Sequence, residues 1–320
     1  MIQRRLSGGM RIWLLAALCM VFALPALAGS GQPSPGQLGF HDEKHLPGLT
    51  RLASAIKAQD SHAVAQLHHG GLRAVKGPKA PSADEKLGAE AMTLDEVRAS
   101  RDCFISAAQR AERAGFDGVE LHGAHGYLIC SFLSPELNRR EDAYGGSPEN
   151  RARFLFECID GIRAAAKPGF SLGVRLSPER WGIVLPEIRD VAQRLMREAR
   201  IDYIDMSLWD VRKEPQDEAY RGRTLASYFT ELDRNGTRLG AAGKIMSAQD
   251  ARDLIAMGFD FPILGRAAIL HHDFPKRAAS DANFTAIATP VSEAYLHEEG
   301  LGPAFVQYMR TWKGFVEEMA

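Results

Sequence analysis

One segment constrains the fold more than any other: Gly115-Phe-Asp-Gly-Val-Glu-Leu-His-Gly-Ala-His-Gly-Tyr127. A short run from Val119 to Leu121 ends abruptly in His122, His125 and Tyr127, with Gly123 and Gly126 between them. The run has the form of a buried strand whose far end carries three proton-handling side chains. Glycines at such a place let the backbone turn tightly and let a ligand come close. Residues at the C-terminal end of a β/α-barrel strand stand where these barrels do their chemistry.

The rest of the chain repeats that plan. Strands are expected at 63–67, 118–122, 171–176, 202–206, 238–242 and 260–264. Helices are expected at 47–57, from Thr93 to about Ala114, after Ser147-Pro148, at 186–199, near 224–233, at 247–257 and at 302–318. Thr93 with Glu96 three residues on forms a capping box, and Ser147 with Pro148 supplies an N-cap followed by a first-turn proline. Residues 70–92 and the stretch from 123 to Gly146 are expected to be loops. Buried strands joined by helices argue a parallel sheet. The fold class is therefore α/β, a TIM (β/α)8-type barrel. Such a barrel needs eight strands, and the two that are not legible would precede residue 46. No linker divides the 320 residues, so residues 29–320 form one domain with a C-terminal helical tail.

The N-terminus departs from the plan. Arg4, Arg5 and Arg11 precede an apolar run from Ile12 to Leu24, and Ala26-Leu27-Ala28 follows. Residues 1–28 thus have the layout of a secretory signal peptide. The run is short for a membrane span, which takes roughly 20 apolar residues. A mis-assigned start, with these residues in place of a core strand, accounts for the segment equally well. The net charge of −1 gives no general attraction to nucleic acid or anionic membrane. Cys19, Cys103, Cys130 and Cys158 contain no C-x-x-C pair, so free thiols are expected rather than a disulfide framework or an iron–sulfur cluster.

Polar residues gather at the strand ends. The first strand offers Gln66, His68 and His69, the third Arg175 and Ser177, and the last two Gly243-Lys244 and Gly265-Arg266. Arg175 in an apolar strand requires a buried anion or a hydrogen-bonding ligand, because an unpaired buried charge is costly. A structural carboxylate partner is the plain alternative. Gly265-Arg266 is either a turn or part of a phosphate site of the kind frequent after strands 7 and 8. His68, His69, His122 and His125 also admit a zinc-dependent barrel hydrolase. Against it, Arg175 would place a cation beside the metal, and no carboxylate completes the set.

Residues 115–157, with Ser131-Phe-Leu-Ser-Pro135, Asn138-Arg-Arg140, Tyr144-Gly-Gly-Ser147 and Glu149-Asn-Arg151, closely resemble the old yellow enzyme family. Gln66-Leu-His-His-Gly-Gly71, Ala80-Pro-Ser82, Val174-Arg-Leu-Ser177, Ile263-Leu-Gly-Arg266 and the tail Gly302 to Arg310 also fall where that family has counterparts. The resemblance implies an FMN-dependent NAD(P)H:flavin oxidoreductase, or ene-reductase, on a (β/α)8 barrel. NADPH or NADH is the implied reductant and an α,β-unsaturated carbonyl compound the implied substrate. By the same resemblance, Gln66 would bond the flavin pyrimidine edge and Arg175 its N1/O2 side. Gly243, Gly265 and Arg266 would hold the phosphate. His122 and His125 would donate to the substrate's activating oxygen, and Tyr127 would supply the proton. It implies no resident metal, no nucleic-acid or specific protein partner, and a cytoplasmic enzyme, which the signal-like segment opposes; self-association is open. Two departures stand out: the family's first two strands are not found, and Ala241-Ala242-Gly243-Lys244 lies where the family often has a Gly-Gly pair. An inactive, truncated barrel is the alternative that these departures support.

Overall fold

The computed structural model of the protein describes residues 37–318. Six strands form one sheet: β1 (Val64–Leu67), β4 (Gly118–Gly123), β5 (Ser171–Leu176), β6 (Tyr203–Ser207), β7 (Arg238–Ala242) and β8 (Phe261–Ile263), in the order β1-β4-β5-β6-β7-β8. Every neighbouring pair is parallel. Two further strands, β2 (Lys79–Ala80) and β3 (Glu90–Ala91), make a separate parallel pair within 70–92. Helices Leu94–Arg113, Pro148–Ala165 and Leu185–Glu198 carry the chain between strands, as parallel pairing demands. The architecture is that of a β/α-barrel wall, and the six strands fall where the sequence places them. The two barrel strands not legible in the sequence, placed by the resemblance before residue 29, and the signal-like reading of 1–28 lie outside the described residues. No described helix is long and apolar enough to cross a membrane.

Local signals set the helix starts. The Thr93 hydroxyl accepts from Glu96 N while the Glu96 carboxylate accepts from Thr93 N, completing the capping box. Ser147 caps Pro148–Ala165 by accepting from Asn150 N. Elsewhere the structure corrects the sequence. The helix expected at 224–233 shrinks to Ser227–Thr230. The tail helix expected at 302–318 is Pro303–Arg310, preceded by Glu293–Glu298. These two pack on a small core of their own with Leu270, Val291 and Phe315. The loop after β4 contains a helix, Leu128–Leu133, every residue of which is buried. A helix buried on every side has no exposed polar face to give it an amphipathic period, so period-based reading passes over it.

The sheet buries both faces, with opposite chemistry on each. Ala65, Leu67, Val119, Leu121, Leu172, Val174, Ile204 and Met206 join the main apolar core with Phe104, Phe154 and Leu195 from the helices. The other face carries Gln66, Glu120, His122, Arg175, Tyr203 and Asp205, all buried. Polar groups removed from water on this scale require partners or a ligand.

Candidate active site

Three rings meet at the end of β4. His122 is its last side-chain-bearing residue, His125 lies in the turn that follows, and Tyr127 caps the helix Leu128–Leu133. Ring centroids of His122 and His125 are 4.9 Å apart, and those of His122 and Tyr127 5.0 Å. His68, at the end of β1, closes the group at 4.9 Å from Tyr127 and 5.9 Å from His122. His125 Nδ1 and His122 Nε2 lie 3.2 Å apart, within hydrogen-bond reach. His122 Nδ1 is buried and has no hydrogen-bond partner.

The turn that aims His125 is held from several sides. His125 has φ +62°, unusual outside glycine, and Gly126 follows at φ +73°. The His125 N–H donates to Ser177 Oγ at 3.0 Å, and its carbonyl accepts from Arg73 Nη1 at 2.7 Å. Trp181 packs on the turn: a Cβ at position 126 would come 2.7 Å from the indole. Gly126 is therefore needed twice, for its backbone conformation and for the closeness of Trp181. The Arg73 guanidinium lies 5.4 Å from the centre of the Tyr127 ring.

Burial keeps this cluster neutral. It pushes His68 down to about 3 and His125 to about 3, with Arg175 a further cause for His125. His122 is driven well below the usual imidazole value by burial, then by His125 and Arg175. Burial raises the Tyr127 phenol above its ordinary value. The group is thus a set of uncharged hydrogen-bond donors beside a buried cation.

Arg175 is that cation. Its Nε is 2.7 Å from Ser207 Oγ and 3.2 Å from Asp205 Oδ2. The structural carboxylate considered from sequence therefore exists, at a fully buried position. Gln66 Nε2 donates to Glu120 Oε1 at 2.5 Å, leaving Gln66 Oε1 buried without a partner. Sequence reasoning missed Glu120, Tyr203 and Asp205, although acids inside apolar strands, in step with Arg175, were visible in Val119-Glu-Leu121 and Ile204-Asp-Met206.

The other expected site residues stand on the rim. Gly243 follows β7 directly, and a Cβ there would meet the backbone nitrogens of Val211 and Asp210 at 2.9 and 3.0 Å. The chain's own β6 loop is thus sufficient reason for a glycine at 243. Lys244 is exposed and paired with Asp210 at 2.9 Å. Gly265 faces open space, next to exposed Arg266.

The zinc-site reading fails on geometry. Gly71 N donates to His69 Nδ1 at 3.0 Å, fixing that imidazole as a loop support. His68 Nε2 lies 2.9 Å from Gln37 Nε2. Among the described residues the one group of three metal-type ligands is His272, Asp273 and Glu299, which includes none of these four histidines.

A parallel barrel wall with buried, uncharged proton-handling rings at its mouth defines an enzyme that works on a ligand held against the strand ends. The chain belongs to the NADH:flavin oxidoreductase / NADH oxidase family, which it matches over residues 17–284. The match begins inside the apolar N-terminal segment. The "Probable NADH-dependent flavin oxidoreductase YqiG" of Bacillus subtilis (strain 168) is 37% identical over 267 residues, covering 78% of this chain and 72% of that protein. A 2-naphthoyl-CoA reductase complexed with 2-naphthoyl-CoA superposes with a TM-score of 0.72 at 27% identity. The alignment covers 83% of this chain but only 45% of that longer one. Old Yellow Enzyme from Pichia sp. AKU4542 shares the fold at TM-score 0.67 and 24% identity, over 86% of this chain and 75% of its own.

Membership makes this chain an oxidoreductase with FMN as its cofactor and NAD(P)H as reductant. The residues present fit that group. A flavin pyrimidine edge offers an N–H donor and carbonyl acceptors, the complement of the Gln66 carboxamide with its unpartnered oxygen. Open space at Gly265 beside the Arg266 cation suits a phosphate.

Proposed function

We propose that this chain reduces an electron-poor alkene activated by a carbonyl or similar oxygen, with His122 and His125 holding that oxygen and Tyr127 acting as the acid. The observation that carries the reading is the three-ring cluster at the end of β4, neutral and buried beside Arg175. When bound, the flavin supplies hydride to the substrate's β-carbon. Negative charge then grows on the activating oxygen. Two neutral imidazole N–H donors, His122 carried on β4 and His125 on a turn held by Ser177, Arg73 and Trp181, stabilise it. The His122–His125 contact gives way to bonds from both rings to that oxygen. Tyr127, kept protonated by burial, donates its proton to the α-carbon.

Gln66 and Arg175 hold the pyrimidine side of the flavin in this reading, and Gly243, Gly265 and Arg266 its phosphate. The substrate is a small molecule, and a near-neutral net charge of −1 gives it no general electrostatic preference.

The test is anaerobic. Protein reconstituted with FMN should turn yellow, bleach with NADH or NADPH, and regain colour on adding a cyclic enone. Bleaching without enone-driven reoxidation would leave the flavin oxidoreductase and remove the alkene. Protein that stays colourless in excess FMN, with no rise in its melting temperature, would instead favour the inactive barrel, since a ligand of the native state must stabilise it.

A further inference from the structure

The inner face of the sheet carries more acid than base. Glu120 on β4 and Asp205 on β6 are both fully buried. Arg175, on the strand between them, is the cation that acts on both. Asp205 stands directly opposite Arg175 in the strand register, with Oδ2 3.2 Å from the guanidinium. Neither Asp205 oxygen takes part in a hydrogen bond, nor does Glu120 Oε2. The remaining neighbours do not balance the charge. β1 brings the neutral Gln66 amide to Glu120, β6 adds the Tyr203 phenol, β7 places Gly240 opposite Asp205, and β4 sets neutral His122 opposite Arg175.

Two ionised carboxylates against one guanidinium would leave a net negative charge in a dry interior, which is costly. Carboxyl groups in that situation keep a proton between them. We infer that Glu120 and Asp205 share one proton near neutral pH, and that Asp205 sets how much of its positive charge Arg175 presents at the mouth. Asp205 is then a positioning residue for the flavin reaction, acting through Arg175. When negative charge appears beside Arg175, the guanidinium turns its attraction outward. The pair then takes up a further proton from water, forming one O–H bond on the carboxyl of Asp205. The electrons come from NAD(P)H as a hydride, breaking its nicotinamide C–H bond and forming an N–H bond on the flavin; the proton taken up at Asp205 is separate from that hydride. Burial displaces both acids in the required direction, Asp205 up to about 7.

This rests on the reading that Arg175 faces the flavin, and the test separates the two. Flavin-loaded parent, Asp205→Asn and Asp205→Glu are compared by midpoint potential across neutral pH and by infrared difference spectra on reduction, with isotope-labelled aspartate. In Asp205→Asn the guanidinium loses its 3.2 Å carboxylate and keeps only the more distant Glu120, which should favour reduced flavin by about tenfold, equivalent to about 30 mV in a two-electron couple. The aspartic-acid band that appears on reduction of the parent should vanish, and Asp205→Glu should restore a carboxyl band at shifted frequency. A merely structural Asp205 would lower the melting temperature but leave potential and band unchanged, which overturns the inference. If Asp205→Asn does not fold, the labelled parent decides alone: no aspartic-acid band on reduction overturns it. If the protein takes up no FMN, the functional reading fails. NMR titration of the flavin-free protein then tests the shared proton, and Asp205 and Glu120 both titrating in the ordinary carboxylate range would end it.

Discussion

The end of β4 and the ends of β7 and β8 do opposite kinds of work. At β4 the rings are buried, uncharged and locked by a strained turn, so their strength comes from excluding water. At β7 and β8 the rim is ionic and solvent-facing, with exposed Lys244 after β7 and Arg266 after β8, and with Lys244 paired to Asp210 of the β6 loop. Charges there are screened by solvent and salt. The first region can direct chemistry but cannot tolerate repacking. The second can hold an anion and can absorb change.

That contrast is sharpest for Tyr127. Tyr127→Phe should lower enone-driven reoxidation by roughly 10²–10⁴-fold while leaving bleaching by NAD(P)H unchanged; stopped-flow measurement of the two half-reactions checks it. Equal loss in both would move Tyr127 from acid to scaffold. Next in size, His122→Ala or His125→Ala should each cost about 10²–10³-fold in the same oxidative half-reaction. The double variant should fall little further if the rings act as one unit.

On the rim, Arg266→Ala should weaken FMN binding by about tenfold and flatten its salt dependence, read by fluorescence titration at two ionic strengths. An effect as large as that of Tyr127→Phe on turnover would break the contrast. Gly126→Ala tests the locked turn and should cost about 1–3 kcal/mol of stability, because the new methyl group strains the backbone and displaces Trp181.

A further effect is in pH. His68 and His125 at about 3 and His69 at about 4 are depressed below the unfolded value of 6.5. Between about 6.5 and about 3 the unfolded chain binds protons that the folded chain refuses. Stability is full above 6.5 and is lost as pH falls through that window. Asp205, raised to about 7, and Glu120, also raised, work in the opposite sense, but are two groups against four, since His122 is depressed as well. Melting temperature followed from neutral to acid pH should therefore fall, and His69→Asn should reduce the slope without touching turnover.

The sheet was legible because its strands are short apolar runs between amphipathic helices, and all six were placed to within a residue or two. His122, His125 and Tyr127 were legible because glycines and proton-handling residues crowd one strand end. The capping box at Thr93 was legible because it is a local contact between residues three apart. Leu128–Leu133 was not, because burial on every side erases its period.

Residue order alone determined which side chains arrive at strand ends, since alternation along a strand follows from backbone geometry. It could not determine who meets whom across strands. Asp205 faces Arg175 and Glu120 meets Gln66 only because four strands align in one parallel register. The same register buries them, and burial decides their charge. The chemistry was written in the local sequence; the protonation states that let it run were set by long-range packing.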